Sequence, residues 1–191
     1  MDLGVLEKVP PHSIEAEQSV LGSLLLDRDL LPDITALLKS EDFYLEQHKE
    51  IYEAILDLYE QNKPVDLITV SEQLTKRGTL NRVGDYEYLS NLATAVPTTA
   101  NAMHYAEIIE DKSLLRKLIH AATQIQKRSY EATEEAVDIL SDAEKYIYDI
   151  VQNRNQTGLL PISDVLDITF SRLEELYNRS GEYTGIPSGF Y

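Results

Sequence analysis

The residues best suited to chemistry in this chain are its four histidines, its paired acids and its eight glycines. His12, His48, His104 and His120 show no metal-ligand spacing such as an i, i+4 pair, which would set two imidazoles on one helix face. A carboxylate-bound metal inside a helical bundle needs an inward Glu-x-x-His arrangement. Val9, Leu45, Asn101 and Lys117 occupy the places three residues before the histidines. The glycines form neither GxxxxGK[ST] nor GxGxxG, so no loop is built to cradle phosphate. There is no GxSxG and no cysteine nucleophile. The acid pairs Glu134-Glu135 and Glu174-Glu175 fall on polar helix faces and read as solvated surface. Gly181, Gly185 and Gly189 repeat every four residues, as in membrane helix dimers, but stand among Tyr, Thr, Pro and Ser. The chain therefore reads as a non-catalyst that binds no cofactor of its own.

Charge narrows the choice of partners. The net charge is −16 over 191 residues. Residues 1–104 hold 8 Lys/Arg against 18 Asp/Glu, residues 105–152 hold 6 against 10, and residues 153–191 hold 3 against 5. None of the three regions is basic, whereas non-specific nucleic-acid affinity rests on clustered Lys/Arg. Strong direct DNA binding is not expected. No stretch approaches the roughly 18 apolar residues that span a bilayer, and the N-terminus MDLGVLEKVPPHS lacks the apolar run of a signal peptide. The absence of cysteine fits a cytoplasmic location.

These residues must be positioned by helices. Ser13 caps a helix with Ile14, Val20, Leu21, Leu24 and Leu25 on its apolar face. Pro32 suits the first turn of a short helix carrying Ile34, Leu37 and Leu38. Residues 45–62 repeat apolar positions at Ile51, Ile55, Leu58 and Tyr59. Asp66 caps LITVSEQLTKR, which Gly78 stops, and Gly84 opens GDYEYLSNLATAV. Short helices with tight turns predict an orthogonal helical head over residues 1–101.

The texture changes after Pro97. Some thirty residues run without Gly or Pro, break weakly at 130–133, and resume to about Asn153. Two long helices joined by a short loop predict an antiparallel hairpin over residues 102–153. On the first helix Ile108, Leu114, Leu115, Leu118, Ile119, Ala121, Ala122 and Ile125 cover an arc of roughly 160°, and the apolar residues of the second cover about 200°. A helix packed on one neighbour needs a stripe somewhat over 100°. The excess favours pairing with the hairpin of another chain over burial on the head. Leu114, Leu115, Leu118, Leu140, Ile147 and Ile150 are the pairing candidates.

A polar linker is placed at 154–161 and an amphipathic helix at 162–180, with Ile162, Val165, Leu166, Thr169, Leu173, Leu176 and Tyr177 on a single stripe. That stripe has no evident partner in its own chain and should dock in a groove elsewhere. The last residues, GIPSGFY, have the turn chemistry of a chain entering a new element.

PPHSIEAEQSVLGSLLLD (10–27), DFYLEQHKEIYEAI (42–55), KPVDLITVSEQL (63–74), GDYEYLSNLATAVPTTANAMHYAEII (84–109) and LLRKLIHAATQI (114–125) together resemble the N-terminal region of bacterial DnaB-type replicative DNA helicases. The resemblance runs over essentially the whole chain in the correct order. It implies an all-α fold: a compact head of short helices, a long hairpin, a linker and a separate helix. It implies that 181–191 is the entry to a RecA-like ATPase domain, where ATP and magnesium would bind, so that the chain stops short of the helicase machinery. It further implies hairpins paired between subunits in a trimer-of-dimers collar, a primase C-terminal domain and in some bacteria a loader as partners, and a linker helix seated on the neighbouring subunit's ATPase domain. Leu166, Leu173, Leu176 and Tyr177 are the candidates for that last contact.

Tyr88 sits off the stripe of Tyr86, Leu89, Leu92, Ala93 and Val96, which predicts an exposed aromatic anchor, and Ile119 and Ile125 lie toward the rims of the hairpin arc. These three are the primase-docking candidates. The competing reading, a small helical nucleic-acid-binding protein, requires a basic helix.

Overall fold

The computed structural model describes residues 9–131, 133 and 135–155. Among them are seven α-helices and no strand: α1 Ile14–Leu26, α2 Leu31–Leu37, α3 Glu46–Glu60, α4 Leu67–Arg77, α5 Asp85–Ala95, α6 Ala102–Glu131 and α7 Ala136–Asn155. Short 3-10 turns at Arg28–Leu30, Ser40–Asp42 and Leu80–Val83 join the smaller helices. Ser13 caps α1, its hydroxyl accepting from the Ala16 N–H at 3.3 Å. Asp66 caps α4, accepting from the N–H groups of Ile68 and Thr69, while Thr69 Oγ1 accepts from the Asp66 N–H. Gly78 ends α4 at φ 72, a conformation that carries little cost only without a side chain.

The head is organised around α1, which packs against α3, α5 and α6. Val20, Leu21, Leu24, Leu31, Ile34, Ile51, Tyr52, Ile55, Leu74 and Leu89 are sealed from solvent in one core. The crossing of α1 over α5 is close enough to require a missing side chain. A Cβ on Gly22 would lie 2.2 Å from the Leu92 carbonyl oxygen and 2.6 Å from Val96 Cγ2.

α6 is shared between head and hairpin. Ala102, Ala106, Ile109 and Ser113, at steps of four, three and four, are buried, and this end of the helix packs on α1, α2 and the turn at Ser40–Asp42. The boundary at 101/102 therefore does not separate two cores. Ile108, counted in the hairpin arc, packs against the head core. Further along, α6 packs on α7 as an antiparallel hairpin, with Arg128 bonded to Asp142 Oδ2 at 2.7 Å. Head and hairpin fall within one compact unit. The linker placed at 154–161 begins inside α7, and its remainder, the 162–180 helix and the 181–191 segment lie outside the described residues.

Candidate protein–protein interface

Each hairpin helix carries two apolar stripes, and among the described residues only one of them is used. On α7, Ile139, Ala143, Tyr146 and Ile150 recur at helical spacing and are half-buried. A second set, Val137, Leu140, Ile147, Tyr148 and Val151, is exposed, with Leu140 at 61% and Ile147 at 44%. On α6, Ala121 is buried, whereas Leu115, Leu118 and Ile119 are exposed, Ile119 at 52%. Scattered single apolar residues on a surface need no explanation, but stripes repeated at helical spacing along two adjoining helices do.

The expected pairing residues divide accordingly. Leu115, Leu118, Leu140 and Ile147 are exposed; Leu114 and Ile150 are half-buried. Ile119 shares the exposed stripe of Leu115 and Leu118, so the structure joins a proposed primase residue to the pairing set. Ile125 is half-buried.

Tyr88 requires a correction. It is half-buried, not an exposed anchor, because its hydroxyl is tied into the head. The chain of contacts starts at Glu17, a buried carboxylate on α1. Glu17 accepts from the Tyr44 N–H at 2.6 Å and from the Leu45 N–H at 3.4 Å, and lies 2.6 Å from His48 Nδ1. His48 Nε2 is 2.7 Å from Tyr88 Oη, which also accepts from Gln18 Nε2 at 3.2 Å. This line of carboxylate, imidazole and phenol resembles a catalytic relay, but its carboxylate and imidazole are buried and every member bonds to a neighbouring helix. It satisfies polar groups in a core where an unpaired one would cost about 1–3 kcal/mol. Tyr86 is the exposed aromatic on this part of α5, at 49%.

A second polar cluster fastens the hairpin to the head. Asp42, at the end of the Ser40–Asp42 turn, is buried. Its carboxylate accepts from Ser113 Oγ at 2.6 Å, Lys117 Nζ at 2.7 Å and the Lys39 N–H at 2.9 Å. Burial pushes the Asp42 carboxyl up, but the bonds from Lys117, Ser113 and the Lys39 backbone, with the charge of Lys117, outweigh it and hold the group below its ordinary value. Arg116 donates to the Pro11 carbonyl at 2.8 Å and to the Asp42 carbonyl, and its guanidinium lies over the Tyr44 ring.

Beside this cluster opens a cleft of about 560 Å3, floored by Ser113, Arg116, Lys117, His120 and Ala121 and walled by Glu41 and, on α7, Tyr146, Asp149 and Ile150. Sequence reasoning missed Asp42, Ser113, Arg116 and Lys117. The available signal was local: residues 112–130 hold Lys112, Arg116, Lys117, Lys127 and Arg128 without one acid, a window the three broad regions averaged away. Among the described residues no His, Asp and Glu group is arranged to hold a metal ion, and no helix is long and apolar enough to cross a membrane.

Comparison with known proteins agrees with this architecture. The family described as DnaB-like helicase N terminal domain matches residues 9–111. The replicative DNA helicase DnaC of Bacillus subtilis is 44% identical over 184 residues, which are 96% of this chain and 40% of the relative. The chain thus spans about two fifths of that relative's length. The crystal structure of the N-terminal domain of DnaB helicase from Mycobacterium tuberculosis superposes with a TM-score of 0.70 at 43% identity, covering 73% of this chain and 99% of that one. A solved DnaB-like replicative helicase, described with its interactions with primase, gives 0.62 at 27% identity over 92% of this chain and 37% of its own.

Proposed function

The chain belongs to the DnaB-like helicase N-terminal domain family, and from that premise we propose that it is an assembly and adaptor module, the collar of a hexameric replicative helicase. The observation that carries this reading is the second, unused apolar stripe on both hairpin helices. Removing such a stripe from water is favourable by roughly 25 cal/mol per Å2 of apolar surface, and nothing within the described part of the chain covers it. A second hairpin bearing the same stripes is the self-complementary partner that two-fold pairing requires. Three such dimers closing into a ring give the trimer-of-dimers collar.

On this reading the collar receives the C-terminal helicase-binding domain of primase, the partner class named for the similar DnaB-like helicase, and in some bacteria a loader. Ile119 and Ile125 remain proposed contributors, and Tyr86 takes the exposed position once expected of Tyr88. Leu166, Leu173, Leu176 and Tyr177 are proposed to seat on the ATPase domain of the neighbouring subunit. ATP and magnesium are then bound outside residues 1–191, and DNA unwinding belongs to the whole helicase in the cytoplasm, not to this module.

Light scattering over a concentration series, with and without the primase domain, tests the proposal. We expect the mass of a dimer or hexamer, rising further when primase is added. A monomer at all concentrations that ignores primase would overturn it.

A further inference from the structure

The side chains of α6 most deeply buried against the head are mostly small, with Tyr105 and Ile108 packed part-buried beside them. Of the four α6 residues buried against the head, two are alanines, one is Ser113, and only Ile109 is large. Apolar contact is non-directional, and small side chains offer few interlocking edges to fix an angle. The attachment ends in the opposite kind of interaction. Over one turn of α6, Ser113, Arg116 and Lys117 make four hydrogen bonds to the head, three of them to Asp42. Bonds with a charged donor or acceptor are short and directional, and buried ionic groups can select one geometry among several of similar stability.

The surroundings leave room for an alternative geometry. Immediately past this turn the cleft separates Glu41 of the head from Tyr146, Asp149 and Ile150 of α7. From Lys117 to Glu131, about 21 Å of α6 extends beyond these hydrogen bonds to the head, with α7 packed along it. The charged and titratable groups facing the junction come from every element around it. Arg116 and Lys117 lie on α6 and Glu41 on the turn. Glu17 on α1 acts on Arg116, and the Tyr52 phenol on α3 is pushed up by burial and by the Asp42 charge.

We propose that Asp42, gripped by Ser113, Lys117 and Arg116, is a charge-dependent latch that fixes the angle at which the hairpin leaves the head. With the latch cut, α6 rocks as one unbroken helix on its small-side-chain contacts with the head, and the hairpin it carries opens or closes the adjoining cleft. The inference concerns one chain and stands whether or not hairpins pair.

The chain has no cysteine, so two introduced ones report cleanly. Spin labels on Glu60→Cys in the head and Thr133→Cys at the hairpin tip, both exposed positions, give a head-to-tip distance distribution by pulsed electron resonance. Labelled chain is diluted into an excess of the same unlabelled variant, so that only distances within one chain are read. Asp42→Asn, which keeps the shape but removes the charge, should at least double the width of the distribution while thermal melting stays cooperative. Lys117→Met, at a partly exposed position that tolerates the change, should do the same. The double variant should be no wider than either single one, because both cut one fastener. Glu41→Gln, beside the latch but 3.9 Å from Lys117 Nζ, should leave the width unchanged. A wild-type width in folded Lys117→Met and Asp42→Asn would overturn the proposal. If Asp42→Asn fails to fold, Lys117→Met decides alone.

Discussion

Head and hairpin are both built from amphipathic helices, yet they use their apolar residues in opposite ways. In the head, α1 is surrounded, and Val20, Leu21 and Leu24 are sealed from solvent. Even its buried carboxylate and imidazole find partners on neighbouring helices. In the hairpin, among the described residues, α7 and the distal half of α6 pack chiefly on each other, and large apolar side chains such as Leu140, Val137 and Tyr148 are more than half exposed. A core complete within one chain sits beside half of a core. The head provides the stability, and the hairpin presents what is left to bury.

That contrast can be broken from the head side first. Leu24→Ala opens a cavity where no solvent reaches and should cost about 3–5 kcal/mol, read as a lower denaturation midpoint in urea. Gly22→Ala, with its new Cβ aimed at the Leu92 carbonyl, should cost about 1–3 kcal/mol through strain, with α5 displaced from α1. A smaller effect belongs to Asp42, and its sign follows from the lowered folded value. The stabilisation is complete above the ordinary carboxylate value and is lost only as pH falls through the lower, folded one. Asp42→Asn should therefore flatten the acid end of a plot of melting temperature against pH.

The hairpin supplies the smallest change in the isolated fold and the sharpest contrast. Leu140→Ser combined with Ile147→Ser should alter the stability of the dilute chain by about 1 kcal/mol or less, since both side chains are exposed. The same pair should abolish the concentration-dependent gain in mass. A head variant that spares assembly and a hairpin variant that spares folding would separate the two roles cleanly.

Much of this was legible in the residues themselves. Caps are local, so Ser13, Asp66 and Gly78 marked helix ends from neighbouring positions alone. The thirty-residue run free of Gly and Pro showed α6, and the width of its apolar arc showed that one neighbour would not cover it. What escaped is long-range and polar. Glu17 meets His48 across 31 positions and Asp42 meets Ser113 across 71, and no periodicity encodes such pairs. Tyr88 was misread for the same reason: its place off the apolar stripe is real, but a histidine forty positions away occupies its hydroxyl. The division at 101/102 followed the Pro97 break in texture, whereas the head core continues into the first turns of the next helix.

The central place of α1 also dictates when the head is able to close. Gln18 waits for Tyr88, 70 positions later, and Pro11 for Arg116, 105 positions later. At about 5–20 residues per second on a ribosome, the second interval lasts about 5–20 s. For most of it, Val20, Leu21, Leu24 and Leu25 have been made while α6, the last helix packed against α1, is still incomplete. The head is consequently a late-folding unit although its first helix is made early, and the hairpin, synthesised after it, emerges onto a platform that its own first turns have just completed.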